Sequence, residues 1–436
     1  MIVIIGAGPA GLAAARVFAR HNIAATILDA APRVGGQYWR HREHVSGYRS
    51  ERSLNFLTTL QSSTCITHVP SATVWSIEKQ DGYFDINYLC DGRTRSIQAE
   101  KIILATGAYD RALPFSGWDL PGSMTPGAAQ AALKGQDYLV GKRIAIAGTG
   151  PFLLPVATGL SEAGAEVVGV FEANNPSRWL LSLHAIALNP GKILELLHYQ
   201  RRLRVENVSV DFGKSVVSFD GSFVGITDGT RVAADVVAVG WGFQPDVTLG
   251  GILECKQTVM TDGTVALSVD RNQRSSQQNI WIAGEATGIG GADLSLIEGE
   301  IAALSALDVR VPFSSRFTRL RKSIFARALT RSYPVRDEWI KRLEDSTTIC
   351  RCEEVTLQEI KDSVTELGAE NSRTAKLFTR AGMGLCQGRM CSRNVSDLVA
   401  EIRGCPTSDT ERIGASNRPI AAPISLGELG NSKSFD

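Results

Sequence analysis

The sequence predicts an α/β fold made of two βαβ units followed by a small cysteine-bearing unit. A strand, a glycine-rich turn and a helix open the chain as "IVIIGAGPAGLAAARVFAR". The same succession returns near residue 143 as "RIAIAGTGPFLLPVATGL", and four cysteines cluster between residues 350 and 391. A repeated βαβ unit with continuous apolar strands is typical of parallel sheets covered by helices.

Composition limits the classes of function. The 436 residues are enough for two to four folding units, and 46 basic residues against 45 acidic ones argue against a general nucleic-acid binder. We expect no secretory signal and no integral membrane segment, because the most apolar later window, 144–160, is broken by glycines and prolines. Eight cysteines without a signal indicate reduced thiols in the cytoplasm, with peripheral attachment to the inner membrane as the alternative.

The first glycine-rich turn has the G-x-G-x-x-G pattern between a strand and a helix, with Gly6, Gly8 and Gly11. Gly6 permits the tight turn, Gly8 lets the backbone approach a pyrophosphate, and Gly11 lets the helix pack close to the strand. The helix N-terminus offers free amides to the phosphates. Asp29 ends the second strand, where a carboxylate can accept hydrogen bonds from a ribose diol. The pattern predicts a dinucleotide-binding (Rossmann-like) domain.

Three further segments agree with this fingerprint: "RVGGQYW", "ILATGAYDR" and "WIAGEA". Together they resemble the flavoproteins of the pyridine-nucleotide-disulfide-reductase type, which have two dinucleotide-binding domains, over roughly residues 1–305. The resemblance implies bound FAD. The residues that it would place along FAD are Gly6, Gly8, Gly11, Asp29, Gly36, Gln37, Thr106, Gly107 and Glu285. Glu285 is a mild departure, since the family usually has Asp where the ribityl chain is met.

The second fingerprint is degraded. Gly148 and Gly150 are present, but Leu153 stands in place of the third glycine and should push the helix from the strand or force a compensating gap. Glu172 ends the following strand and could hold a ribose. Pro155 stands where the resembled reductases usually carry a glutamate near the nicotinamide. NAD(H) exchange, another ADP-containing nucleotide bound without hydride exchange, and an empty site all stay open.

The second βαβ unit interrupts the first, which predicts a discontinuous domain. The predicted parts are a FAD-binding domain at 1–115 and 260–310, a second nucleotide-binding domain at 116–259, a basic connector at 311–345, a cysteine-bearing domain at 346–405 and a flexible tail at 406–436. Within the connector, Phe317, Leu320, Ile324 and Leu329 fall roughly on one helical face. This face indicates either a solvated connecting helix or a docking surface for a partner chain.

The cysteine-bearing unit has the pattern C-x-C, 33 intervening residues, and C-x4-C. Its four thiols belong to Cys350, Cys352, Cys386 and Cys391. Residues two apart point in nearly opposite directions on a helix, so the first pair must lie on extended or looped chain. Gly382, Gly384 and Gly388 give the backbone freedom to bend around an inorganic core, and Ser392 is a plausible N-cap of the next helix. Cys405 lies outside the pattern and is interpreted as a structural thiol.

Zinc and iron–sulfur clusters both accept four cysteines, but structural zinc usually prefers two C-x2-4-C knuckles. The segments "ICRCEEVT" and "LFTRAGMGLCQGRMC" closely resemble the [2Fe-2S] domain of bacterioferritin-associated ferredoxin. This resemblance implies a [2Fe-2S] cluster held by the four thiols. Zinc and unliganded thiols stay as alternatives.

The whole chain resembles the α (A) subunits of bacterial opine oxidases, and the related subunits of D-hydroxyproline dehydrogenase, proline dehydrogenase and hydrogen cyanide synthase. The resemblance implies a D-amino-acid-oxidase-like β subunit that oxidises the amine, a small third subunit, and FMN between subunits. This chain would then be the electron-transferring subunit. The catalytic residues are therefore unknown here, and the six histidines stand in no recognisable catalytic motif.

Two other classes of function remain. The chain could be a self-sufficient NAD(P)H-dependent FAD reductase of a ferredoxin-type acceptor, with entry through the unit from Gly148 to Glu172. It could also be a scaffold whose cofactors are only structural. Disulfide reduction is not expected, because no cysteine pair lies beside the flavin fingerprint or within the second unit.

Overall fold

The computed structural model describes residues 1–41 and 63–430, so His44 lies outside the described residues. The strands are β1 Ile2–Ile5, β2 Ala25–Leu28, β3 Ile66–Val69, β4 Thr73–Lys79, β5 Phe84–Cys90, β6 Arg93–Ala99, β7 Lys101–Leu104, β8 Ala108–Asp110, β9 Ser123–Met124, β10 Arg143–Gly148, β11 Glu166–Glu172, β12 Val210–Phe212, β13 Val216–Phe219, β14 Phe223–Ile226, β15 Arg231–Ala233, β16 Val236–Gly240, β17 Phe243–Pro245, β18 Gln257–Val259, β19 Val265–Leu267, β20 Ile280–Ile282, β21 Thr348–Cys350 and β22 Val355–Thr356.

The α-helices are α1 Pro9–Arg20, α2 Pro126–Gln136, α3 Leu153–Glu162, α4 Leu183–Ala187, α5 Gly191–Val205, α6 Thr248–Ile252, α7 Ala292–Ala306, α8 Phe313–Ser332, α9 Leu357–Thr365, α10 Ser372–Thr379, α11 Ser392–Arg403, α12 Asp409–Ser416 and α13 Leu426–Gly430. Short 3-10 helices span Pro176–Ser182, Glu285–Thr287 and Asp337–Arg342. Among the described residues, no helix is long and apolar enough to cross a bilayer.

The chain divides into two compact units. The first comprises Met1–Ala108, Pro245–Ala326 and Asn417–Asp436, and the second comprises Tyr109–Gln244 and Arg327–Ser416. The second unit is inserted into the sequence of the first, so the first unit is discontinuous, as in the arrangement that the repeated βαβ pattern indicates. It also includes the cysteine-bearing segment, and the boundary between the units falls within α8 instead of at the start of the connector.

The first unit is built on a five-stranded parallel sheet in the order β20-β7-β1-β2-β3. Strand β1 is central because its four residues are apolar and pair with β2 on one side and β7 on the other. Val3 and Ile5 face one core, whereas Ile2 and Ile4 face a second core that includes α1 and α7. The parallel register brings the carboxyl ends of β1 and β2 to one edge, where Asp29 follows β2.

The first unit also contains the antiparallel sheet β4-β5-β6, the hairpin β18-β19 and part of the C-terminal segment. Residues 406–436 were predicted to be flexible, but the described part of this segment contains α12 and α13. The amide of Ala421 donates to the carbonyl of Trp75 at 2.7 Å, and Ala421 is buried in the core. Thr94 donates to the carbonyl of Glu428 at 3.1 Å. These backbone contacts order a segment whose composition alone indicated disorder.

The second unit repeats the architecture, with a parallel sheet in the order β12-β11-β10-β16-β9. Ile144 and Ile146 pack against α2 and α3 on one face, whereas Ala145 and Ala147 face a second core with the antiparallel sheet β13-β14-β15. Each fully buried isoleucine contributes roughly 1.5–3 kcal/mol through removal of apolar surface from water. The carboxyl ends of β10 and β11 carry the second glycine loop and Glu172.

The cysteine-bearing segment is a hairpin, β21-β22, followed by helices α9, α10 and α11. A capping box between Thr356 and Glu359 begins α9. The core of this segment includes Ile349 and Leu398, and it also takes in Leu113 from the βαβ part of the same unit. The segment therefore shares a hydrophobic core with its unit instead of folding around its own residues alone.

Candidate functional site

The first glycine loop is shaped by close backbone approaches. Gly6 has φ +104°, and a Cβ there would lie 2.3 Å from the carbonyl oxygen of Ala105. A Cβ at Gly11 would lie 1.9 Å from the carbonyl oxygen of Gly6. Gly8 is the N-cap of α1 and Pro9 its first residue, so no side chain covers the helix N-terminus. These contacts require glycine for the turn and for the helix packing that the fingerprint predicted.

Asp29 lies at the same edge of the sheet and is only 8% exposed. Its Oδ1 accepts a hydrogen bond from the Ala31 amide at 3.4 Å, whereas Oδ2 is buried and has no partner among the described residues. Burial raises the pKa of this carboxyl group. A buried acceptor without a donor is costly in the absence of a ligand, and a ribose hydroxyl would satisfy it. The first loop therefore fits a dinucleotide such as FAD.

A second glycine turn lies directly on the first loop. Gly36 has φ +59°, and a Cβ there would lie 2.8 Å from the Cα atom of Gly8. Gln37 is exposed, and its Oε1 accepts a hydrogen bond from Arg40 at 2.8 Å. The backbone of Gly36 thus packs against Gly8 with no side chain between them. The contact of Gly36 and Gln37 with FAD stays a prediction.

The other predicted FAD residues lie on loops of the same unit. Thr106 donates to the carbonyl of Asp246 at 2.7 Å, and Gly107 adopts φ +75°. Glu285 begins a 3-10 helix, and its Oε1 accepts a hydrogen bond from the amide of Gly291 at 3.3 Å. Burial raises the pKa of Glu285. FAD contacts at Thr106, Gly107 and Glu285 remain predictions.

Glu298 on α7 was not predicted from the sequence. It is buried and accepts hydrogen bonds from the Gly284 amide and the Thr287 hydroxyl, each at 3.1 Å. Arg319 donates to it at 3.2 Å, so the basic connector neutralises a buried carboxylate. Burial raises the pKa of Glu298, and the Arg319 charge opposes this shift. Glu298 thus positions the turn that carries Glu285; an acidic residue in the apolar stretch "LSLIEGEIAAL" was the available signal.

The second glycine loop has a different geometry. Gly148 has φ +125°, and a Cβ there would lie 1.7 Å from the carbonyl oxygen of Gly240, whereas the space around a Cβ at Gly150 is open. Helix α3 begins at Leu153, five residues after Gly148, whereas α1 begins three residues after Gly6. Leu153 is buried in the core beneath α3. The sequence predicted that Leu153 would push the helix from the strand or force a gap. In the structure the loop is longer instead, and helix α3 begins later.

Glu172, the predicted ribose ligand of the second site, is buried and hydrogen-bonded. Its Oε1 accepts from the Thr149 hydroxyl and the Asn174 amide, both at 2.9 Å, and its Oε2 accepts from the Gly150 amide at 2.8 Å. Burial raises the pKa of Glu172, and these donors oppose the shift. Nucleotide binding by Gly148, Gly150 and Glu172 remains a prediction.

The four clustered thiols meet as two pairs. The thiols of Cys350 and Cys391 interact with each other and are 1% exposed, whereas Cys352 is exposed and interacts with the half-buried Cys386. In the described part of the chain, no three His, Cys, Asp or Glu side chains are assembled around one metal ion. Two thiol pairs match the ligand demand of a two-iron cluster, in which each iron takes two protein sulfurs. One pair is internal and the other faces solvent.

Cys350 lies in an environment that favours a thiolate. The Cys391 thiol interacts with its sulfur, and the amides of Gly382, Cys352 and Glu353 point toward it, with the Gly382 nitrogen 3.4 Å away. These interactions lower the pKa of Cys350 to about 5. Thiolates are the form that binds iron, so Cys350 is suited to ligate it.

The loop between α10 and α11 depends on its glycines. Gly388 has φ +77°, and a Cβ there would lie 2.0 Å from Oγ of Ser392. A Cβ at Gly384 would lie 2.2 Å from Cβ of Cys352. Ser392 is the first residue of α11, and Cys391 is its N-cap, so the prediction of Ser392 as N-cap was wrong. Helix α11 therefore begins next to the thiol of Cys391, a member of the buried pair. The partial positive charge of the helix N-terminus favours a negatively charged thiolate there.

Trp118 holds the hairpin that carries the first two cysteines, and no sequence motif predicted this contact. The indole of Trp118 donates to the carbonyl of Thr348 at 2.5 Å, and the Thr348 hydroxyl donates to Asp119 at 2.7 Å. The Arg351 guanidinium lies over the Trp118 ring, 5.2 Å from its centroid. Trp118 therefore contacts residues on both sides of Cys350.

We expect Trp118→Phe to weaken this anchor without removing the cluster. The ring and its cation–π contact remain, but the buried carbonyl of Thr348 loses a donor, which costs about 1 kcal/mol. Thermal melting followed by visible absorbance should show a lower Tm with an unchanged starting spectrum. Leu203→Val, in the separate core formed with α2 and α3, should lower the Tm without selective loss of cluster absorbance. An unchanged Tm in Trp118→Phe would contradict the anchoring role.

Comparison with known proteins assigns this architecture. Residues 1–301 match the family described as pyridine nucleotide-disulphide oxidoreductase, which is more than half of the chain. The chain belongs to that family. Residues 348–401 match the BFD-like [2Fe-2S] binding domain and include all four clustered cysteines. The predicted fold class is confirmed, and the two matches imply FAD and a [2Fe-2S] cluster in this oxidoreductase.

The relatives of this family member confirm the predicted resemblance. The α (A) subunit of opine oxidase from Rhizobium meliloti is 30% identical, with 98% of this chain and 86% of the relative covered. Hydrogen cyanide synthase subunit HcnB of Pseudomonas aeruginosa is 33% identical, with 92% and 93% covered. The L-proline dehydrogenase of P. horikoshii has the same fold at TM-score 0.72 and 17% identity, with 98% and 78% covered. The first two relatives are subunits of multi-subunit oxidoreductases.

Proposed function

We propose that this chain is the electron-transferring α subunit of a heteromeric flavin-dependent amine or amino-acid dehydrogenase or oxidase, of the opine or D-hydroxyproline type. The observation that carries the proposal is the pair of sites on one chain. One is a glycine loop beside a buried acceptor that has no partner among the described residues, and the other is a four-thiol site in which Cys352 is exposed. When bound, FAD exchanges two electrons and the [2Fe-2S] cluster exchanges one, so together they connect a two-electron donor with a one-electron path.

The residues of the first unit bind and orient the flavin nucleotide. Backbone amides at Gly8 and the α1 N-terminus would hold the pyrophosphate, and Oδ2 of Asp29 would accept a ribose hydroxyl. Glu298 holds the turn that carries Glu285. Because Gly6 and Gly11 leave no room for a side chain, the loop stays close enough to the sheet for these contacts.

The exposed thiol pair supports electron exchange with a partner. The side chain of Cys352 reaches the surface beside Gly384, and large apolar residues that flank Gly384 or lie on the preceding helix α10 are also exposed. These residues, which we call the collar, are Leu377, Phe378, Met383 and Leu385. Exposed apolar surface beside a redox site is typical of a docking surface. The proposed partners are a D-amino-acid-oxidase-like β subunit that carries out the amine chemistry and a small third subunit, with FMN at an interface, in the cytoplasm.

A hydrogen cyanide synthase subunit is a second candidate, favoured by the 33% identity to HcnB. It differs in the donor that the partner oxidises, not in the role of this chain. A self-sufficient NAD(P)H-dependent reductase is the remaining alternative, and it requires nucleotide entry at the second glycine loop. Anaerobic mixing of the purified complex with octopine, nopaline, D-hydroxyproline, proline, glycine or NADH separates these three functions.

We expect one amine donor to bleach the flavin and cluster of the tagged chain copurified with its flavoprotein partner. Leu385→Glu, at a side chain that is 83% exposed, should slow this reduction at least about tenfold, because a charge in an apolar contact loses about 1.4 kcal/mol or more. The matched control is Leu367→Glu in the same domain, where the side chain is 57% exposed and lies outside the collar.

Two results would count against these proposals. If NADH at micromolar concentration reduces the flavin rapidly and no amine does, the proposed role in an amine-oxidising complex is wrong. If an amine reduces the wild-type complex but Leu385→Glu and Leu367→Glu behave alike, the proposed role stands and the collar is not the docking surface.

A further inference from the structure

The carboxylate at the end of β11 is already used by the protein itself. Oε1 of Glu172 accepts two hydrogen bonds, from the Thr149 hydroxyl and the Asn174 amide. Its Oε2 accepts the amide of Gly150 at 2.8 Å. In a dinucleotide site, the amide of the middle glycine lies near the pyrophosphate and the carboxylate holds the ribose. Here the two groups are hydrogen-bonded to each other, so a nucleotide would have to break or share the bond between the Gly150 amide and Glu172.

The first site provides an internal comparison. Asp29 occupies the equivalent position at the end of β2, and its Oδ2 is buried without a partner among the described residues. Both oxygens of Glu172 have donors. Oδ1 of Asn174, beside Glu172, is a buried acceptor without a partner among the described residues. The backbone amides of Ala31 and Ala7 also act on the Asp29 carboxyl group. The difference is that Asp29 keeps one unpaired buried oxygen among the described residues, whereas both oxygens of Glu172 have donors.

The connector takes the position beside Glu172. The side-chain amide of Asn174 donates to the carbonyl of Pro334 at 3.0 Å and to the Thr149 hydroxyl at 2.7 Å. Tyr333 lies edge-on to Trp179, with ring centroids 6.1 Å apart. Burial raises the pKa of Tyr333, and the Glu172 charge adds to this shift. The connector therefore lies at the carboxyl end of β11, where a nucleotide ribose binds in this fold.

The loop itself has lost the geometry of a phosphate site. Helix α3 begins at Leu153, and its N-cap Phe152 is in the right-handed helical region with no side-chain cap. The Phe152 ring packs edge-on against Phe243 at 5.0 Å. The later helix start moves the free amides away from the glycines that would place a pyrophosphate.

We infer that the second glycine loop binds the protein's own connector in place of a pyridine nucleotide, with Glu172 as an internal ligand of the loop and Asn174 as the positioning residue of the connector. The residues present do not fit NAD(H), although the family implies a nucleotide here. This inference goes beyond the proposed function and does not depend on which amine the complex oxidises. The segment held in this way leads directly to the cysteine-bearing hairpin.

The first test uses the wild-type full chain with its FAD and cluster. Titration with NADH, NADPH and ATP, followed by calorimetry, should show no saturable binding in the micromolar range, and NADH should not bleach the flavin. Micromolar binding of any of the three nucleotides that is lost in Glu172→Ala would overturn the inference, because Glu172 would then be a ribose ligand. Binding that survives in Glu172→Ala would also overturn it, because the site would accept a nucleotide.

The second test measures the connector directly by amide hydrogen exchange. Asn174→Ala should accelerate exchange in residues 333–343 about fivefold to tenfold, since one hydrogen bond to the connector is lost. The matched control is Asn175→Ala, at the adjacent exposed residue, whose side chain accepts from the amide of Ser177; this change leaves the hydrogen bond from Asn174 to Pro334 in place. Retained flavin and cluster absorbance show that both variants fold.

Equal exchange of residues 333–343 in Asn174→Ala and Asn175→Ala would refute the positioning role. If Asn174→Ala does not fold, Thr149→Val provides the same measurement, because it removes the hydroxyl that joins Asn174 to Glu172. Accelerated exchange in Thr149→Val supports the inference, and unchanged exchange contradicts it.

Discussion

Replacing Cys391 by serine should remove the [2Fe-2S] absorbance while FAD stays bound. Cys391 is 1% exposed, lies at the N-cap of α11 and interacts with Cys350 in the internal pair. A serine hydroxyl is a far weaker iron ligand than a thiolate at neutral pH, and the buried position offers no replacement. Iron content per chain should fall from two atoms to background, together with the cluster signal in electron paramagnetic resonance.

The controls separate ligation from folding. Cys405→Ser changes an exposed thiol outside the pattern and should keep the full iron content. Cys352→Ser removes the exposed ligand of the outer pair and should also abolish the cluster, with little effect on core packing. A Cys391→Ser chain that keeps its visible spectrum, or a wild-type chain that holds one zinc ion, would show that the four thiols do not bind [2Fe-2S].

Gly11→Ala should produce a chain that loses FAD. A Cβ at this position would lie 1.9 Å from the carbonyl oxygen of Gly6, so α1 must move away from β1 and carry the loop amides with it. Overpacking of this kind costs roughly 1–3 kcal/mol, which corresponds to an affinity for FAD that is about fivefold to 150-fold weaker if the strain acts on the bound state. Flavin absorbance after gel filtration and FAD titration of the apoprotein measure the loss.

The matched control for Gly11→Ala is Gly414→Ala. Gly414 is also in a helix, but a Cβ there meets nothing within 4 Å. Alanine is the better helix former, so this variant should be neutral or slightly stabilised and should keep FAD. Cluster absorbance reports the folding of both variants. Normal FAD affinity in Gly11→Ala would mean that the close approach of α1 to β1 is not needed for the site.

Local patterns were enough to predict several features of the structure. The spacing of Gly6, Gly8 and Gly11 predicted a turn followed by a helix, because this pattern is specific to the strand–turn–helix of dinucleotide-binding units. The C-x-C spacing of Cys350 and Cys352 excluded a helix, and the structure has β21 and turns there. The resemblance to BFD-like [2Fe-2S] domains was confirmed over residues 348–401.

Helix boundaries were less predictable from the same patterns. Ser392 has a side chain suited to an N-cap, but it is already the first residue of α11, and Cys391 before it is the N-cap. The tail at 406–436 has few apolar residues, yet Ala421 is buried through backbone pairing with Trp75. Composition cannot show a partner that lies more than 300 residues away in the sequence.

The sequence by itself determined the two βαβ units, the four-thiol unit and the order in which they follow, since strands, glycine turns and cysteine spacing are encoded locally. Only the tertiary structure decided which polar groups are free. It bonds Glu172 to Gly150 and Asn174 to Pro334, but leaves Oδ2 of Asp29 without a partner among the described residues. Asp29 and Glu172 occupy equivalent positions in the sequence pattern. The hydrogen bonds that Glu172 accepts make it a structural residue, whereas the unpaired oxygen of Asp29 makes that residue a candidate ligand.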